Sequence, residues 1–168
     1  VFGMAEATLA VAFPVPGGGM ERETLLRGAL ETERRAVAAP EGTDPAEVVS
    51  FARLGKAVLG IEMRIVDTQT GAEVPERVVG ELEIRGNSVT PGYYRRPDAT
   101  EAAFHDDWFR TGDLAYLVDE QLVVCGRLKD VIIVGGRNVY PQDIEKAAAC
   151  VEGVRPGNVI AFGTPGRR

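Results

Sequence analysis

Apolar and polar residues alternate over several short stretches of the chain, and this period of two predicts β-strands. The alternation is clear over residues 61–65 and again over residues 79–84, with a Thr-Gln-Thr-Gly turn between them. These two segments predict an antiparallel hairpin or meander with one buried face. Further strands are predicted over residues 115–118 and 122–125, which are joined by a short acidic turn.

Helical patterns are shorter and fewer. Residues 20–38 combine dense charge with leucines at helical spacing and predict a surface helix followed by a mobile polar loop. A second helix is predicted from Pro97, where Asp98 and Glu101 have the spacing of a capping box. Pro141 suits the first position of a third helix, whose early acidic residues favour its positive end.

The C-terminal quarter of the sequence predicts short strands around a glycine turn. Residues 131–134 (Val-Ile-Ile-Val) are apolar enough for a buried strand, Gly135 and Gly136 predict a tight turn, and residues 159–162 predict a last strand. The fold class is therefore α+β. We expect a β-rich subdomain, a distorted barrel or meander with short helices, followed by a hinge and the start of a small α+β domain.

Composition excludes several classes of protein. The 19 Lys and Arg residues against 25 Asp and Glu give a formal net charge of -6, which disfavours nucleic-acid binding. No apolar run approaches the roughly 18 residues of a membrane span. Cys125 and Cys150 lie far apart and are expected to be core thiols in a cytoplasmic protein. His105 is the single histidine, which disfavours a multi-histidine metal site, and it is expected in a solvated loop.

Four segments carry candidate chemistry, and they follow one another as Phe2-Gly3-Met4-Ala5-Glu6-Ala7-Thr8, Gly92-Tyr93-Tyr94, Trp108-Phe109-Arg110-Thr111-Gly112-Asp113-Leu114, and Gly126-Arg127-Leu128-Lys129-Asp130 through Gly136 to Pro141 and Glu145. In this order and spacing they resemble the adenylate-forming (ANL) superfamily of acyl-CoA synthetases, acyl-AMP ligases and nonribosomal adenylation domains. The resemblance implies that residues 1–128 are the C-terminal part of the large domain and residues 129–168 the beginning of the small C-terminal domain. Because Val1 is no initiator, we expect a piece of a larger protein.

The first segment is the candidate for binding nucleotide and metal. Adenylation joins a carboxylate to the α-phosphate of ATP and expels pyrophosphate, which requires cationic charge on the phosphates. Glu6 offers a hard oxygen ligand for Mg²⁺. The resemblance implies that Glu6 is the metal-linked glutamate and that Phe2 and Gly3 bind the nucleotide, with Phe2 packing on adenine. The competing interpretation of Glu6 is an exposed carboxylate in a turn.

The later segments are candidates for holding the ribose and for domain movement. A carboxylate such as Asp113 can accept hydrogen bonds from both hydroxyls of a ribose, and the resemblance assigns it that role. The resemblance also places Arg127 against the ribose and Lys129 at the hinge between the two domains. The competing interpretations are a turn acceptor for Asp113 and a solvated charged turn for residues 127–130.

Two details favour the fatty acyl-AMP ligase branch. Ala5 stands where most of the family has a threonine hydroxyl, and the Ala-Glu-Ala-Thr sequence resembles fatty acyl-AMP ligases. Thr8 is a candidate substitute for that threonine, and the competing interpretation is a packing residue. The sequence Tyr-Pro-Gln-Asp-Ile-Glu at residues 140–145 also resembles these enzymes. Fatty-acyl-CoA ligases share most of these residues.

The resemblance implies an ATP-dependent ligase that activates a fatty acid as an acyl-adenylate and passes the acyl group to a thiol. The cofactors would be ATP/AMP and Mg²⁺, and the thiol would belong to CoA or to the phosphopantetheine of an acyl carrier protein. No catalytic residue is expected here, because the adenylation lysine would lie beyond Arg168. The alternatives are a fatty-acyl-CoA synthetase and, from another class, a non-catalytic β-rich binding module.

Overall fold

The computed structural model of the chain describes residues 1–155 and 157–164, which form mainly antiparallel β-strands with short helices. The strands, in chain order, are β1 (Phe2–Met4), β2 (Leu9–Phe13), β3 (Arg22–Leu26), β4 (Val48–Ala52), β5 (Lys56–Ala57), β6 (Ile61–Val66), β7 (Gly80–Gly86), β8 (Phe104–His105), β9 (Trp108–Val118), β10 (Gln121–Arg127), β11 (Ile132–Val134) and β12 (Arg137–Val139). The α-helices are α1 (Arg27–Glu33), α2 (Pro97–Ala103) and α3 (Pro141–Ala149). Short 3-10 helices lie at Ala5–Ala7 and Pro45–Glu47. The predicted α+β fold class is confirmed.

The largest sheet has the order β10-β9-β7-β6, and β8 pairs with the start of β9. All of these pairings are antiparallel, so the strands predicted from alternation and their hairpin connections are confirmed. The prediction of a single buried face is wrong for β7. Glu81 and Glu83 are buried there beside Leu82 and Ile84, and the two carboxylates pair with the guanidinium groups of neighbouring strands.

Two apolar cores lie on this framework. One contains Tyr116, Val123 and Cys125 and continues under α1 and β4. The other contains Leu82, Ile84 and Phe109 and is covered by β1 and β2. The strands β9 and β10 contribute side chains to both cores and therefore connect them.

The surface helix predicted over residues 20–38 is only partly correct. Its first portion is β3, which pairs along its whole length with β4, and the helix begins at Arg27. In β3, Leu25 is fully buried and Glu23 is buried between two arginines, Arg53 and Arg77. Pairing with β4 and burial of alternate residues therefore override the local helical spacing.

Helix α2 starts at Pro97 as predicted, but the capping box is wrong. The residue before the helix is Arg96, no side chain caps the first turn, and Asp98 instead forms an ion pair with Arg96. A capping box needs the acidic side chain to reach back to a Ser or Thr cap, and this helix has none.

The C-terminal part departs further from prediction. β11 and β12 form a separate hairpin, with positive φ at both Gly135 and Gly136, but Ile133 and Val134 are exposed, so the predicted buried strand is wrong. The strand predicted at residues 159–162 does not form. Helix α3 begins at Pro141 as predicted.

Tyr140, just before α3, is buried in the first core beside Cys125. Cys125 is a core thiol as predicted, whereas the prediction of a core thiol is wrong for Cys150, which is exposed at the end of α3. His105 lies in the short strand β8 and not in the predicted loop, and its side chain is half exposed. No helix in the described part of the chain is long and apolar enough to cross a membrane. The border between residues 128 and 129 stays a prediction.

Candidate nucleotide site

Asp113 occupies a buried position in β9, directly opposite Arg127 in β10. The Nε atom of Arg127 lies 3.1 Å from Oδ1 of Asp113. The turn before Asp113 is fixed by Thr111, whose hydroxyl donates to the carbonyl of Leu82 at 2.9 Å and accepts from the Asp113 N–H at 3.0 Å. Gly112 has φ of 72°, which a glycine adopts without strain. The carboxylate is therefore held in one place by two strands.

Burial is the main influence on the acidity of this carboxyl group. It raises the pKa of Asp113 above its ordinary value, whereas Arg127 and the Thr111 hydroxyl act in the opposite direction. The negative charge of Glu6 raises the pKa further, so these two carboxylates lie within electrostatic reach of each other. Glu6, which is distant in the sequence, therefore contributes to the electrostatics of Asp113.

Glu6 lies in the 3-10 turn after β1, and this turn is attached to a loop that precedes α2. The backbone N–H of Thr90 donates to the Glu6 carbonyl at 2.7 Å, and the Thr8 hydroxyl donates to the carbonyl of Ser88 at 2.9 Å. The Tyr93 hydroxyl donates to Oε1 of Glu6 at 3.0 Å. Both the main chain and the side chain of Glu6 are therefore positioned by residues 88–93.

The Thr8 hydroxyl is engaged in fixing this turn. Its bond to the carbonyl of Ser88 shows a structural use of the hydroxyl. Thr8 also ends the 3-10 turn with φ of 62°, a left-handed conformation. Its suggested role as a substitute for the phosphate-binding threonine remains a prediction.

Phe2 and Gly3 precede Glu6 on β1. The Phe2 side chain is partly buried and packs against the second core. A Cβ at Gly3 would lie 1.7 Å from the carbonyl oxygen of Leu9 on β2, so only glycine allows this close approach of the strands. These contacts explain the presence of Phe2 and Gly3 by packing alone. Their contact with the nucleotide remains a prediction.

Lys129 is exposed in the turn that follows β10. In this turn the N–H groups of Asp130 and Val131 both donate to the carbonyl of Arg127, and the Leu128 N–H donates to the carbonyl of Gly112 at 2.8 Å. Leu128, the residue before the candidate hinge, is thus bonded directly to the turn that positions Asp113. Its role as a hinge remains a prediction.

The sequence did not identify every residue that shapes this region. The sequence indicates Tyr93 only as part of the Gly-Tyr-Tyr segment, and Thr111 only as part of the Arg-Thr-Gly-Asp turn. Their bonds to Glu6 and Asp113 connect segments that are remote in the sequence. A local pattern cannot reveal such bonds.

The donor set fits a cation that arrives with a nucleotide. Among the described residues, no group of three or more His, Cys, Asp or Glu side chains could hold a metal ion by itself. Mg²⁺ usually takes only one or two carboxylates and completes its shell with waters and substrate phosphates. A single carboxylate such as Glu6 suits that kind of site.

Asp113 and Arg127 offer the polar groups that a ribose diol requires. The Asp113 side chain is 6% exposed and the Arg127 side chain is 51% exposed. A ribose that binds the carboxylate would therefore need Arg127 to turn aside or to share the contact. The exposed guanidinium has room to do so.

Comparison with known proteins identifies the family of this chain. The family model described as AMP-binding enzyme matches residues 1–94, and the chain belongs to this family. The resemblance to the adenylate-forming superfamily is thereby confirmed.

Particular relatives are similar over almost the whole chain. Rv1013 of Mycobacterium tuberculosis is 46% identical over 161 residues, which cover 95% of this chain and 29% of the relative. The long-chain-fatty-acid–AMP ligase FadD26 of the same species is 36% identical over 179 residues, covering 98% of this chain and 29% of the relative. A structure from a study of fatty acyl-adenylate ligases of E. coli and L. pneumophila superimposes with a TM-score of 0.81 at 39% identity, covering 89% of this chain and 26% of the other. The chain thus spans less than a third of the length of these relatives.

Proposed function

We propose that the full-length protein containing this chain uses ATP to activate a fatty acid as its acyl-adenylate and then passes the acyl group to a thiol. In the first step, a carboxylate oxygen of the fatty acid attacks the α-phosphorus of ATP, and pyrophosphate leaves. In the second step, the thiol attacks the acyl carbonyl, and AMP leaves. The named activity of the relative FadD26, long-chain-fatty-acid–AMP ligase, supports this reaction class.

The observation that carries the proposal is the buried Asp113–Arg127 pair with Glu6 within electrostatic reach. In the proposed function, Asp113 accepts hydrogen bonds from the ribose hydroxyls and Arg127 donates to the same sugar. Glu6 holds the Mg²⁺ that neutralises the phosphates. Phe2 packs on adenine, and Gly3 allows the β1 backbone to approach the site.

Lys129 is proposed as the hinge about which the C-terminal residues change their pose between the two steps. Its exposed turn begins immediately after Arg127, so a rotation there would alter what covers the ribose site. This part of the proposal includes the division of the chain at residues 128 and 129.

The acceptor is proposed to be the phosphopantetheine thiol of an acyl carrier protein. The resemblance of the Ala-Glu-Ala-Thr sequence and of residues 140–145 to fatty acyl-AMP ligases supports it. A carrier protein and free CoA offer the same thiol chemistry, so they must be separated by direct assay.

The test is ATP–pyrophosphate exchange by the purified full-length protein with a series of fatty acids of increasing chain length. We expect exchange that depends on both the fatty acid and Mg²⁺. Acyl transfer is then measured to a phosphopantetheinylated carrier protein and, separately, to CoA. Transfer to CoA alone would replace the proposed acceptor. A folded protein that neither binds ATP nor supports exchange would instead be a non-catalytic binding module.

A further inference from the structure

The Tyr93 hydroxyl makes a contact that the motif pattern alone does not explain. The hydroxyl donates a hydrogen bond of 3.0 Å to a carboxylate oxygen of Glu6. This bond is charge-assisted and joins two segments that are remote in the sequence. Tyr93 is 39% exposed. Its hydroxyl therefore lies at the accessible rim of the site and does not fill a core.

The backbone around Tyr93 is fixed independently of that bond. The Tyr93 N–H donates to the Thr100 hydroxyl at 2.9 Å, and this hydroxyl donates to the Arg96 carbonyl at the start of α2. Gly92 packs so closely that a Cβ there would lie 2.5 Å from Cγ2 of Thr100. The tyrosine is thus anchored on α2 before it reaches Glu6.

The same loop also holds the backbone of the Glu6 turn. Thr90 donates to the Glu6 carbonyl, and Thr8 donates to Ser88. The turn would therefore keep its path without the Tyr93 hydroxyl. What the hydroxyl adds is the orientation of the carboxylate.

We propose, resting on the proposed function, that Tyr93 is a positioning residue that fixes one carboxylate oxygen of Glu6 and leaves the other available to the Mg²⁺ of Mg²⁺–ATP. Hydrogen bonds to ligating carboxylates orient them and restrict their rotation. A carboxylate that is already oriented loses less conformational freedom when it binds the cation. Tyr93 thus influences cation binding without touching the cation.

The test uses Tyr93→Phe in the full-length protein and measures ATP binding by calorimetry over a series of Mg²⁺ concentrations. The half-saturating Mg²⁺ concentration is expected to rise about 10-fold, the lower end of the effect of removing a bond to a metal ligand. ATP binding at saturating Mg²⁺ should stay near that of the wild type, because the nucleotide contacts remain.

Tyr94→Phe is the matched control. Tyr94 follows Tyr93 in the chain, is 84% exposed, and its ring lies against the guanidinium of Arg95. Loss of its hydroxyl should leave the Mg²⁺ titration unchanged. Thermal unfolding of both variants reports any general loss of stability.

A double variant tests whether Tyr93 acts through Glu6. Glu6→Gln should itself shift the Mg²⁺ titration, and adding Tyr93→Phe to it should cause little further shift. A full additional shift in the Glu6→Gln background would overturn the proposal. So would a Tyr93→Phe variant that unfolds earlier but keeps the wild-type Mg²⁺ titration.

The controls also separate this inference from the proposed function. If the wild-type protein binds ATP in a Mg²⁺-dependent manner and Tyr93→Phe behaves identically, only the role of Tyr93 is rejected. If the folded wild-type protein shows no Mg²⁺-dependent ATP binding, the proposed function is rejected and this inference with it.

Discussion

The carboxylate of Glu6, in the turn after β1, lies near enough to that of Asp113 in β9 for its charge to raise the pKa of Asp113. Two like charges that are brought together and partly buried oppose folding at neutral pH. Groups held in such an arrangement commonly mark a functional site, where a ligand or cation relieves the repulsion.

Asp113→Ala is expected to reduce fatty-acid-dependent ATP–pyrophosphate exchange by at least about tenfold, because two charge-assisted hydrogen bonds to the ribose would be lost. The measurement is kcat/KM for ATP in the full-length protein. Asp107→Ala is a suitable control, because Asp107 is exposed in the turn before β9. Unchanged ATP kinetics in a folded Asp113→Ala variant would contradict the ribose role.

The raised pKa of Asp113 implies that the stability of the fold depends on pH. Burial raises its pKa above the ordinary value of 3.8, so the native state binds this proton more tightly than the unfolded state does. Its contribution to stability is complete below pH 3.8 and is lost as the pH rises through the raised pKa. Asp113→Asn cannot ionise.

We therefore expect the thermal unfolding midpoint of Asp113→Asn to increase relative to the wild type as the pH is raised from about 4 to 7. Midpoints of both proteins across this range provide the measurement. Asp107→Asn should show no comparable trend. A difference between Asp113→Asn and wild type that does not change with pH would show that the fold tolerates the Asp113 charge.

The lowered pKa of Glu23 implies a pH dependence of stability with the opposite sign. Burial raises its pKa, but hydrogen bonds and charge from Arg53 and Arg77 outweigh burial and hold the pKa below its ordinary value of 4.5. This contribution to stability is present above pH 4.5 and is lost as the pH falls through the lowered pKa. Glu23→Gln is expected to cost about 1–3 kcal/mol at pH 7, since it removes charged hydrogen bonds in a nearly buried place.

The measurement for Glu23→Gln is its unfolding midpoint relative to the wild type between pH 7 and 3. The deficit at pH 7 should shrink in acid. Glu120→Gln is the matched control, because Glu120 pairs with Lys56 at the surface and both side chains are well exposed. An equal deficit in both variants would indicate that burial of Glu23 contributes nothing.

Lys129→Pro tests the hinge. A proline fixes φ near −65°, while the bonds that close this turn are donated by Asp130 and Val131 and can remain. We expect the variant to impair one half-reaction much more than the other, with thioester formation more affected than adenylation. Pyrophosphate exchange reports the first step, and acyl transfer to carrier protein or CoA reports the second.

Lys129→Ala is the control for loss of the side chain alone. Equal losses of both half-reactions in Lys129→Pro would indicate local misfolding. No loss in either would make Lys129 an ordinary surface residue. Only an unequal loss supports a hinge.

Much of the framework could be predicted from the sequence. β6, β7, β9 and β10 follow from alternating apolar residues, and α3 follows from Pro141 and the acidic residues after it. These signals are local: a strand in a half-buried sheet and the first turn of a helix each constrain residues that are adjacent in the chain. The family was equally accessible, because its motifs are short and retain their order.

Other features were decided only by tertiary structure. Residues 22–26 belong to a segment with leucines at helical spacing but form β3, because β4 offers a pairing partner and Arg53 neutralises the buried Glu23. Residues 131–134 are apolar and yet partly exposed, because β11 and β12 pair with each other and, within the described part of the chain, with no other strand. The sequence alone determined which residues could form strands, helix starts and a nucleotide motif. The bond from Tyr93 to Glu6 and the pairing of Asp113 with Arg127 depended on the folded chain, because contacts between residues that are not adjacent in the chain form only when folding brings them together.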